Sequence, residues 1–267
     1  MPDIHPTALL QGDVQLAEDV VIGPHCVLTG PVSLGPGCTL IGNAYLHGPL
    51  TMGRDNVVYP FACLGFAPQH LKFDPHTPGK GLVIGDDNTF REHVTIHRAF
   101  TDDGPTCIGD RNYFMVASHA GHDCRIGDDC TFVNAALIAG HVVIHDNVTV
   151  GGGATVHQFV RIGRGAMLSG LAGTGLDIPP WFTLTGINVC GSVNLVGLRR
   201  SGLDKSDIDD VRWVYRTLYR KNRSLQYALL DLKERSDRPI VADYIRFIES
   251  SDRGICPARG KALRGEA

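Results

Sequence analysis

Apolar residues recur at every sixth position along most of this chain. From Ile4, steps of six reach Leu10, Leu16, Ile22, Leu28, Leu34, Leu40, Leu46, Met52, Val58 and Leu64. The phase slips by two residues across GFAPQHLKFDPHTPGKG. A second run then opens at Ile84 and passes through Phe90, Ile96, Ile108, Phe114, Ala120, Ile126, Phe132, Ile138, Ile144, Val150, Val156, Ile162 and Leu168. Only Asp102, inside the polar insertion TDDGPT, interrupts it. In a chain that is 43% hydrophobic, so regular a series has a chance probability on the order of 10⁻⁸. A period of six fits neither a single helix face nor a single strand face. It fits a solenoid in which each hexad makes one flat side and three hexads close a triangular coil of about 18 residues. The aliphatic then points inward and stacks on its equivalent about 4.8 Å away in the next coil. Four positions further on, the side chain is usually small or β-branched, as at Ala8, Val14, Val20, Cys26, Val32, Cys38 and Ala44. The aliphatic is often followed by glycine, as in Ile22-Gly23, Leu34-Gly35, Ile84-Gly85, Ile108-Gly109, Ile126-Gly127 and Ile162-Gly163. Those glycines are expected to supply turn conformations at the corners.

The repeat predicts a mostly β chain, with a parallel β-helix over residues 1–198. It fades at GTGLDIPPWF, where Pro179-Pro180 disrupt regular pairing. Beyond Gly202 the period becomes helical, which predicts a helical domain over 199–267. Ile208, Val211, Tyr215 and Leu218 form one stripe, with Ser206 and Asp209 as its capping signal. Leu225, Ala228, Leu229 and Leu232 form a second. Val241, Tyr244, Ile245 and Ile248, after Pro239, form a third. The tail CPARGKALRGEA has no apolar period and is expected to be loose.

Composition narrows the classes. The apolar fraction excludes general disorder, and 32 glycines in 267 residues exclude collagen. No run of 18 apolar residues exists, so no membrane-spanning helix is expected. The first 20 residues lack a basic segment followed by an apolar one, which points to the cytoplasm or an organelle interior. None of the eight cysteines forms a CxxC pair. Cys26, Cys38, Cys124 and Cys130 occupy the small-residue slot, so they are read as packing thiols. Residues 1–198 carry nine Lys+Arg against seventeen Asp+Glu, whereas residues 199–267 carry sixteen against eleven. That basic C-terminal third suggests an acidic partner, but without a basic run it does not indicate nucleic acid.

A solenoid is a scaffold, so function must come from a site. His97, His119, His122, His141 and His157 fall in the second run, within about four coils. His122 is followed by Asp123, a potential orienter of the imidazole. One coil length beyond His122 lies Gly140, whose amide would stand one strand spacing away and could stabilise an oxyanion. Base, orienter and donor together are what acyl transfer to a hydroxyl needs. Periodicity alone does not separate this arrangement from exposed histidines scattered over a polar face.

VTIHRAF, SHAGHDC, AGHVVI, GGATVHQF and QHLKF, in solenoid order and followed by a helical segment, resemble the UDP-N-acetylglucosamine O-acyltransferases of lipid A biosynthesis. The resemblance covers nearly the whole chain. It implies a left-handed β-helix, a homotrimer, and active sites in grooves between subunits. It also implies transfer of a 3-hydroxyacyl chain from acyl carrier protein to the 3-hydroxyl of UDP-N-acetylglucosamine. The phosphopantetheine would arrive on the donor, with no separate cofactor and no metal. By the same resemblance His122 is the general base, Asp123 its partner and Gly140 the donor to the thioester carbonyl. Lys72 and Gln69 are substrate contacts, and His97 and His119 lie near the sugar nucleotide. His141, His157 and Gln158 line the substrate and phosphopantetheine groove, and Asn194 and Arg200 belong to a nucleotide-binding segment. Gly170 falls at the acyl-chain ruler; lacking a side chain, it predicts a longer hydroxyacyl chain. Arg199, Arg200, Arg212, Arg216, Arg220, Lys221 and Arg223 could steer the acidic carrier protein.

Two positions depart from the family pattern: His70 replaces an aspartate beside the substrate lysine, and Val196 replaces a glutamate after the asparagine. They keep an amine acceptor, a UDP-3-amino-sugar, open as the nearest alternative. A zinc carbonic anhydrase built on His97, His119 and His122 is a more distant one, because His119 and His122 are three apart where that family pairs histidines five apart. The related N-acyltransferase needs an additional N-terminal domain, and here hexads begin at Ile4. A non-catalytic scaffold would not require His122.

Overall fold

The computed structural model describes residues 1–258 apart from 75, 76, 102 and 222. The expected interruption at Asp102 and most of the expected loose tail lie outside the described residues. Within them the chain winds as a left-handed parallel β-helix of three sheets, with eleven, nine and eight strands. Each strand pairs with the one a full coil away: Val57 faces Thr39, Leu137 faces His119, and Val143 faces Arg125. The 18-residue coil is therefore observed directly. The inward aliphatics from Ile22 to Leu168 are all buried, whereas Ile4 is 41% exposed at the open end, where no coil covers it. Each fully buried aliphatic contributes about 1.5–3 kcal/mol, so the stacked rungs are the main source of cohesion. Phe90, Phe114 and Phe132 stack through the interior at 5.2 and 4.3 Å.

The glycines after the aliphatics do something other than expected. Gly23 has no left-handed backbone; a Cβ there would lie 2.1 Å from the carbonyl oxygen of Ile41. Those glycines permit close approach of successive coils. The left-handed corners lie three residues after the aliphatic and are mostly not glycine: Asn43, Asp55, Asp123, Asp129 and His141 all have φ between 48° and 61°. Each costs roughly 1 kcal/mol or more, with Asn and Asp the cheapest because their short polar side chains tolerate this region.

The small-residue slot is not wholly apolar. Cys38, Cys124 and Cys130 occupy it as buried free thiols, and burial pushes Cys124 and Cys130 up to about 12. Between them Asn56, Asn88 and Asn112 make a buried ladder, with Asn56 Oδ1 accepting from the Asn88 amide at 2.9 Å and Asn88 Oδ1 from the Asn112 amide at 2.9 Å. Two insertions leave the prism, at 67–81 and 98–105, and both emerge at the corner between the nine- and eight-stranded sheets.

The β-helix ends in an antiparallel pair, Phe182–Gly186 with Val189–Val193. Among the described residues four helices follow: α1 (Leu195–Arg200), α2 (Lys205–Tyr219), α3 (Leu225–Lys233) and α4 (Pro239–Glu249). The expected border at residue 198 falls inside α1, a short helix that no apolar period announced. The cap of α2 is Asp204, which accepts from the Asp207 amide, and not Ser206. Ser206 instead donates to Asp204 Oδ1 at 2.9 Å. Phe182 packs among Tyr215, Tyr219 and Tyr244, joining helices and solenoid in one core. Arg161, on the last full coil, pairs with the buried Asp177 at 2.9 Å and donates to the Phe247 carbonyl at 2.7 Å, which fastens the end of α4.

Candidate active site

Asp123 occupies a left-handed corner (φ 60°) immediately beyond the strand His119–Ala120, so His122 stands at the edge of the nine-stranded sheet. The Asp123 carboxylate accepts His122 Nδ1–H at 2.6 Å, the Phe100 and Thr101 amides at 2.9 and 3.0 Å, and Thr101 Oγ1 at 2.7 Å. The Asp123 amide in turn donates to Thr106 Oγ1 at 2.8 Å. Burial opposes ionisation of this carboxyl, but the hydrogen bonds from His122, Thr101 and Phe100 outweigh it and hold Asp123 well below the usual carboxylate range. A carboxylate can only accept, so in the neutral His122 ring the proton sits on Nδ1 and Nε2 keeps its lone pair.

The next coil brings Gly140 against the imidazole. A Cβ on Gly140 would lie 2.9 Å from His122 Nε2 and Cε1. A Cβ on Gly121 would lie 2.7 Å from the Gly140 nitrogen. Two glycines thus clear space around one base and one amide, and the Gly140 amide has no acceptor among the described residues. A groove of about 960 Å³ opens over them, lined by Gln69, His70, His97, His119, His122, Gly140, His157 and Gln158, among others.

His119 Nδ1 is 2.8 Å from Thr95 Oγ1, and burial lowers its pKa. His97, 7% exposed, is held down to about 4 by burial first and then by the neighbouring His119, His122 and Arg98. Both rings are therefore neutral near pH 7. His141 lies on the far side of the carboxylate, its Nε2 3.8 Å from Asp123 Oδ2, stacked on Phe159 at 4.5 Å. It lines a separate small cavity with Thr101 and Arg125. Burial lowers its pKa more than Asp123 raises it.

Lys72 lines an adjoining cavity with Phe73 and Phe100, outside the main groove. Gly170 also lies outside it, and a Cβ there would meet only the Gly152 carbonyl oxygen, at 3.5 Å. Asn194 is engaged in capping α1: it accepts from the Gly197 amide at 2.9 Å and donates to the Gly165 carbonyl at 2.9 Å. Arg200 is exposed on α1. Several of the basic residues offered for steering are already paired: Arg212 with Asp209, and Lys221 and Arg223 with Asp231. Arg199, Arg200 and Arg216 have no acidic partner among the described residues.

The set His97, His119 and His122 does not assemble as metal ligands among the described residues. The trio that does converge is His122, Asp123 and His141, with ligand atoms within 4.8 Å of one another. Three further donors already hold that carboxylate. A second cavity of about 490 Å³ lies between the last coils and α4, lined by Arg161, Arg164, Trp181 and Arg246. Its guanidiniums are paired with Asp177, Asp146 and Asp243, which leaves no free charge for a ligand.

Sequence reasoning missed Phe100, Thr101 and Arg253. Phe100 stacks on His70 at 4.1 Å and meets His122 edge-on at 5.8 Å. The signal was available: an insertion one hexad long leaves the phase unchanged and must loop out at a corner. Arg253, beyond α4, donates to the Gly175 carbonyl at 2.7 Å and approaches His157 Nδ1 at 3.3 Å; nothing in the repeat points to it.

Comparison with known proteins places the chain in a family. Residues 177–256 match the family model described as UDP-N-acetylglucosamine O-acyltransferase, domain 2. The chain is 42% identical to an acyl-(acyl-carrier-protein)–UDP-N-acetylglucosamine O-acyltransferase of Halorhodospira halophila, over 96% of this chain and 99% of that protein. It is 38% identical to the protein of that name from Agrobacterium fabrum, over 97% of each. Among solved structures, the UDP-N-acetylglucosamine acyltransferase of Francisella novicida superposes with a TM-score of 0.92 at 30% identity, over 98% of this chain and 99% of that one. The Campylobacter jejuni enzyme superposes with a TM-score of 0.90 at 33% identity, over 96% and 100%. No helix among the described residues is long and apolar enough to cross a membrane.

Proposed function

The chain belongs to the family of acyl-(acyl-carrier-protein)–UDP-N-acetylglucosamine O-acyltransferases, and on that premise we propose that His122, Asp123 and Gly140 carry out its chemistry. The activity is acyl transfer from acyl carrier protein to UDP-N-acetylglucosamine, the first step of lipid A biosynthesis. His122 Nε2 takes the proton of the sugar 3-hydroxyl while Nδ1–H remains on Asp123. The oxygen attacks the thioester carbonyl of a 3-hydroxyacyl chain, and the Gly140 amide donates to the resulting oxyanion. Collapse expels the phosphopantetheine thiolate, which recovers the proton from His122. The balance closes without redox change or any cofactor beyond the carrier's own arm.

The observation that carries this reading is that a Cβ on Gly140 would lie 2.9 Å from His122 Nε2, with Asp123 fixing the tautomer behind the ring. A homotrimer accounts for Gly170, Asn194 and Arg200, which would meet the groove from a neighbouring copy, while Lys72 stands in the adjoining cavity beside Gln69 and His70. Supporting this, the outward positions of the eleven-stranded sheet carry no charge from Val21 through Thr39, Val57, Thr89, Tyr113, Thr131 and Thr149 to Met167. Open space at Gly170 favours a longer hydroxyacyl chain, and Arg199, Arg200 and Arg216 remain available to the acidic carrier protein. We place the reaction in the cytoplasm.

The test is mass spectrometry of products from the purified protein, given UDP-N-acetylglucosamine and a panel of hydroxyacyl carrier proteins. An O-acylated nucleotide sugar is expected, with longer chains preferred. His122→Ala should lower turnover by about 10²–10⁴-fold with the assembly unchanged; near-full activity in that variant would refute the assignment.

A further inference from the structure

Arg98 is the largest of the almost wholly buried side chains, at 2% exposure. No carboxylate lies within ion-pair distance of it among the described residues. Its guanidinium is held by neutral groups: Nη1 donates to the Gly65 carbonyl at 3.0 Å and Nη2 to the Thr77 carbonyl at 3.1 Å. Nη1 also lies 3.3 Å from His47 Nδ1, the Phe73 ring lies 5.6 Å from the guanidinium carbon, and Nε has no partner among the described residues. A buried charge without a counterion is costly, and an aliphatic side chain would fill the same space more cheaply. What an aliphatic cannot do is bind two carbonyls at a fixed separation, as the planar guanidinium fork does.

Those two carbonyls stand at the two ends of one insertion. Gly65 precedes it and Thr77 lies near its return, while Gln69, His70 and Lys72 are carried between them. Arg98 comes directly after the strand Thr95–His97, where the second insertion leaves the prism, so the clamp springs from the wall of the groove. Other contacts also meet the insertion: His70 stacks on Phe100 at 4.1 Å, Phe73 meets Phe100 edge-on at 6.1 Å, and the Gly81 carbonyl accepts from the Ala99 and Thr106 amides at 3.0 and 3.1 Å. Among these side chains only Arg98 binds carbonyls at both ends of it.

We propose that Arg98 is a positioning residue that fixes the described part of the 67–81 insertion against the solenoid and, through it, sets Gln69, His70 and Lys72 toward the nucleotide sugar. For its substrate this rests on the acyltransferase reading above; for its geometry it does not. Arg98 touches no reacting atom. Its loss acts on sugar-nucleotide binding and leaves the His122–Asp123 pair in place.

The test uses full-length Arg98→Lys and Arg98→Gln, each read by limited trypsin digestion and by steady-state kinetics. Cleavage after Lys72 and Lys80 should become about tenfold faster or more, because trypsin reports the opening of a local segment. KM for UDP-N-acetylglucosamine should rise about tenfold, with kcat within about threefold of the parent. In Arg98→Lys combined with Lys72→Ala, the rise in KM should fall short of the product of the two single effects, since the contact made by Lys72 is lost in both. Unchanged trypsin rates would overturn the proposal. So would independent, additive effects of the two substitutions, or failure of both single variants to fold, which would make Arg98 a folding residue. If the parent protein fails to acylate UDP-N-acetylglucosamine, the acyltransferase reading falls, and trypsin digestion still decides the clamp.

Discussion

Asp123 and Asp129 stand at successive corners of the same coil, with the same residue type and nearly the same backbone, φ 60° and 57°. Their side chains live in different worlds. The Asp129 carboxylate is 42% exposed and pairs with Arg111 at 2.8 Å one coil earlier. The Asp123 carboxylate is 6% exposed, accepts four hydrogen bonds, and orients an imidazole. The solenoid supplies both corners alike, so the repeat does not make the difference. The insertions do: both leave the prism at the Asp123 corner, and Phe100 and Thr101 from the second of them close over the carboxylate. The corner at Asp129 has no insertion, and its aspartates serve the scaffold. There Asp86, Asp110 and Asp128 each accept the amide of the preceding coil through Oδ1, at 2.8–2.9 Å.

The sharpest way to break the comparison is Asp123→Asn. The amide can keep the local backbone but cannot enforce the Nδ1–H tautomer, so turnover should fall by about 10²–10⁴-fold; the melting temperature should fall too, because an NH2 group then faces donors that the carboxylate accepted. Activity within a factor of about three of the parent would put the two corners on the same footing and remove Asp123 from the mechanism.

Gly121→Ala asks whether the space beside the base matters as much as the base. The added methyl would press on the Gly140 nitrogen, displacing the proposed oxyanion donor, and turnover should fall by about 10²–10³-fold. A variant that keeps full turnover would show that the Gly140 amide is not used.

How far this corner was legible in the sequence follows from the same contrast. Coil length, inward aliphatics and the step from His122 to Gly140 are consequences of period, and period survives in a single sequence. The role of Gly23 was not legible, because a glycine required for close approach looks the same as one required for a turn; only the Ile41 carbonyl distinguishes them. Asn56, Asn88 and Asn112 violate the apolar interior, yet each satisfies the next, a ladder visible only once coils are stacked. Thr101 and Arg98 were hidden for the opposite reason: they act where the chain leaves its repeat, and contacts there depend on where the insertion lands. Arg253 lies about 96 residues from His157 in sequence, beyond the reach of any local pattern.

The groove side of the same coils should also report on pH. Unfolded, His97 takes up a proton near its ordinary value of 6.5; folded, it does so only near 4. Between those values the unfolded state binds the extra proton. Stability is therefore fully present above about pH 6.5 and is lost as pH falls toward 4, by up to about 3 kcal/mol from this group. Urea midpoints measured across that window should flatten in His97→Gln, and an unchanged slope would assign the acid sensitivity to other groups.

The smallest effect belongs to the other member of the pair. Asp129→Asn keeps a residue that tolerates left-handed backbone and removes only an exposed ion pair with Arg111, whose charge is also approached by Asp110 and Asp128 at 3.7 and 3.4 Å. Such surface pairs contribute little, because solvent screens them and two side chains must be immobilised to form them. Turnover should stay within a factor of about two, and the melting temperature should move by no more than ~2 °C. That outcome, beside a large loss in Asp123→Asn, would show that one backbone corner carries chemistry or none according to the insertion packed over it. A large loss of turnover in Asp129→Asn would instead mean that the corners communicate along the coil, and that the scaffold aspartates contribute to holding the base in register.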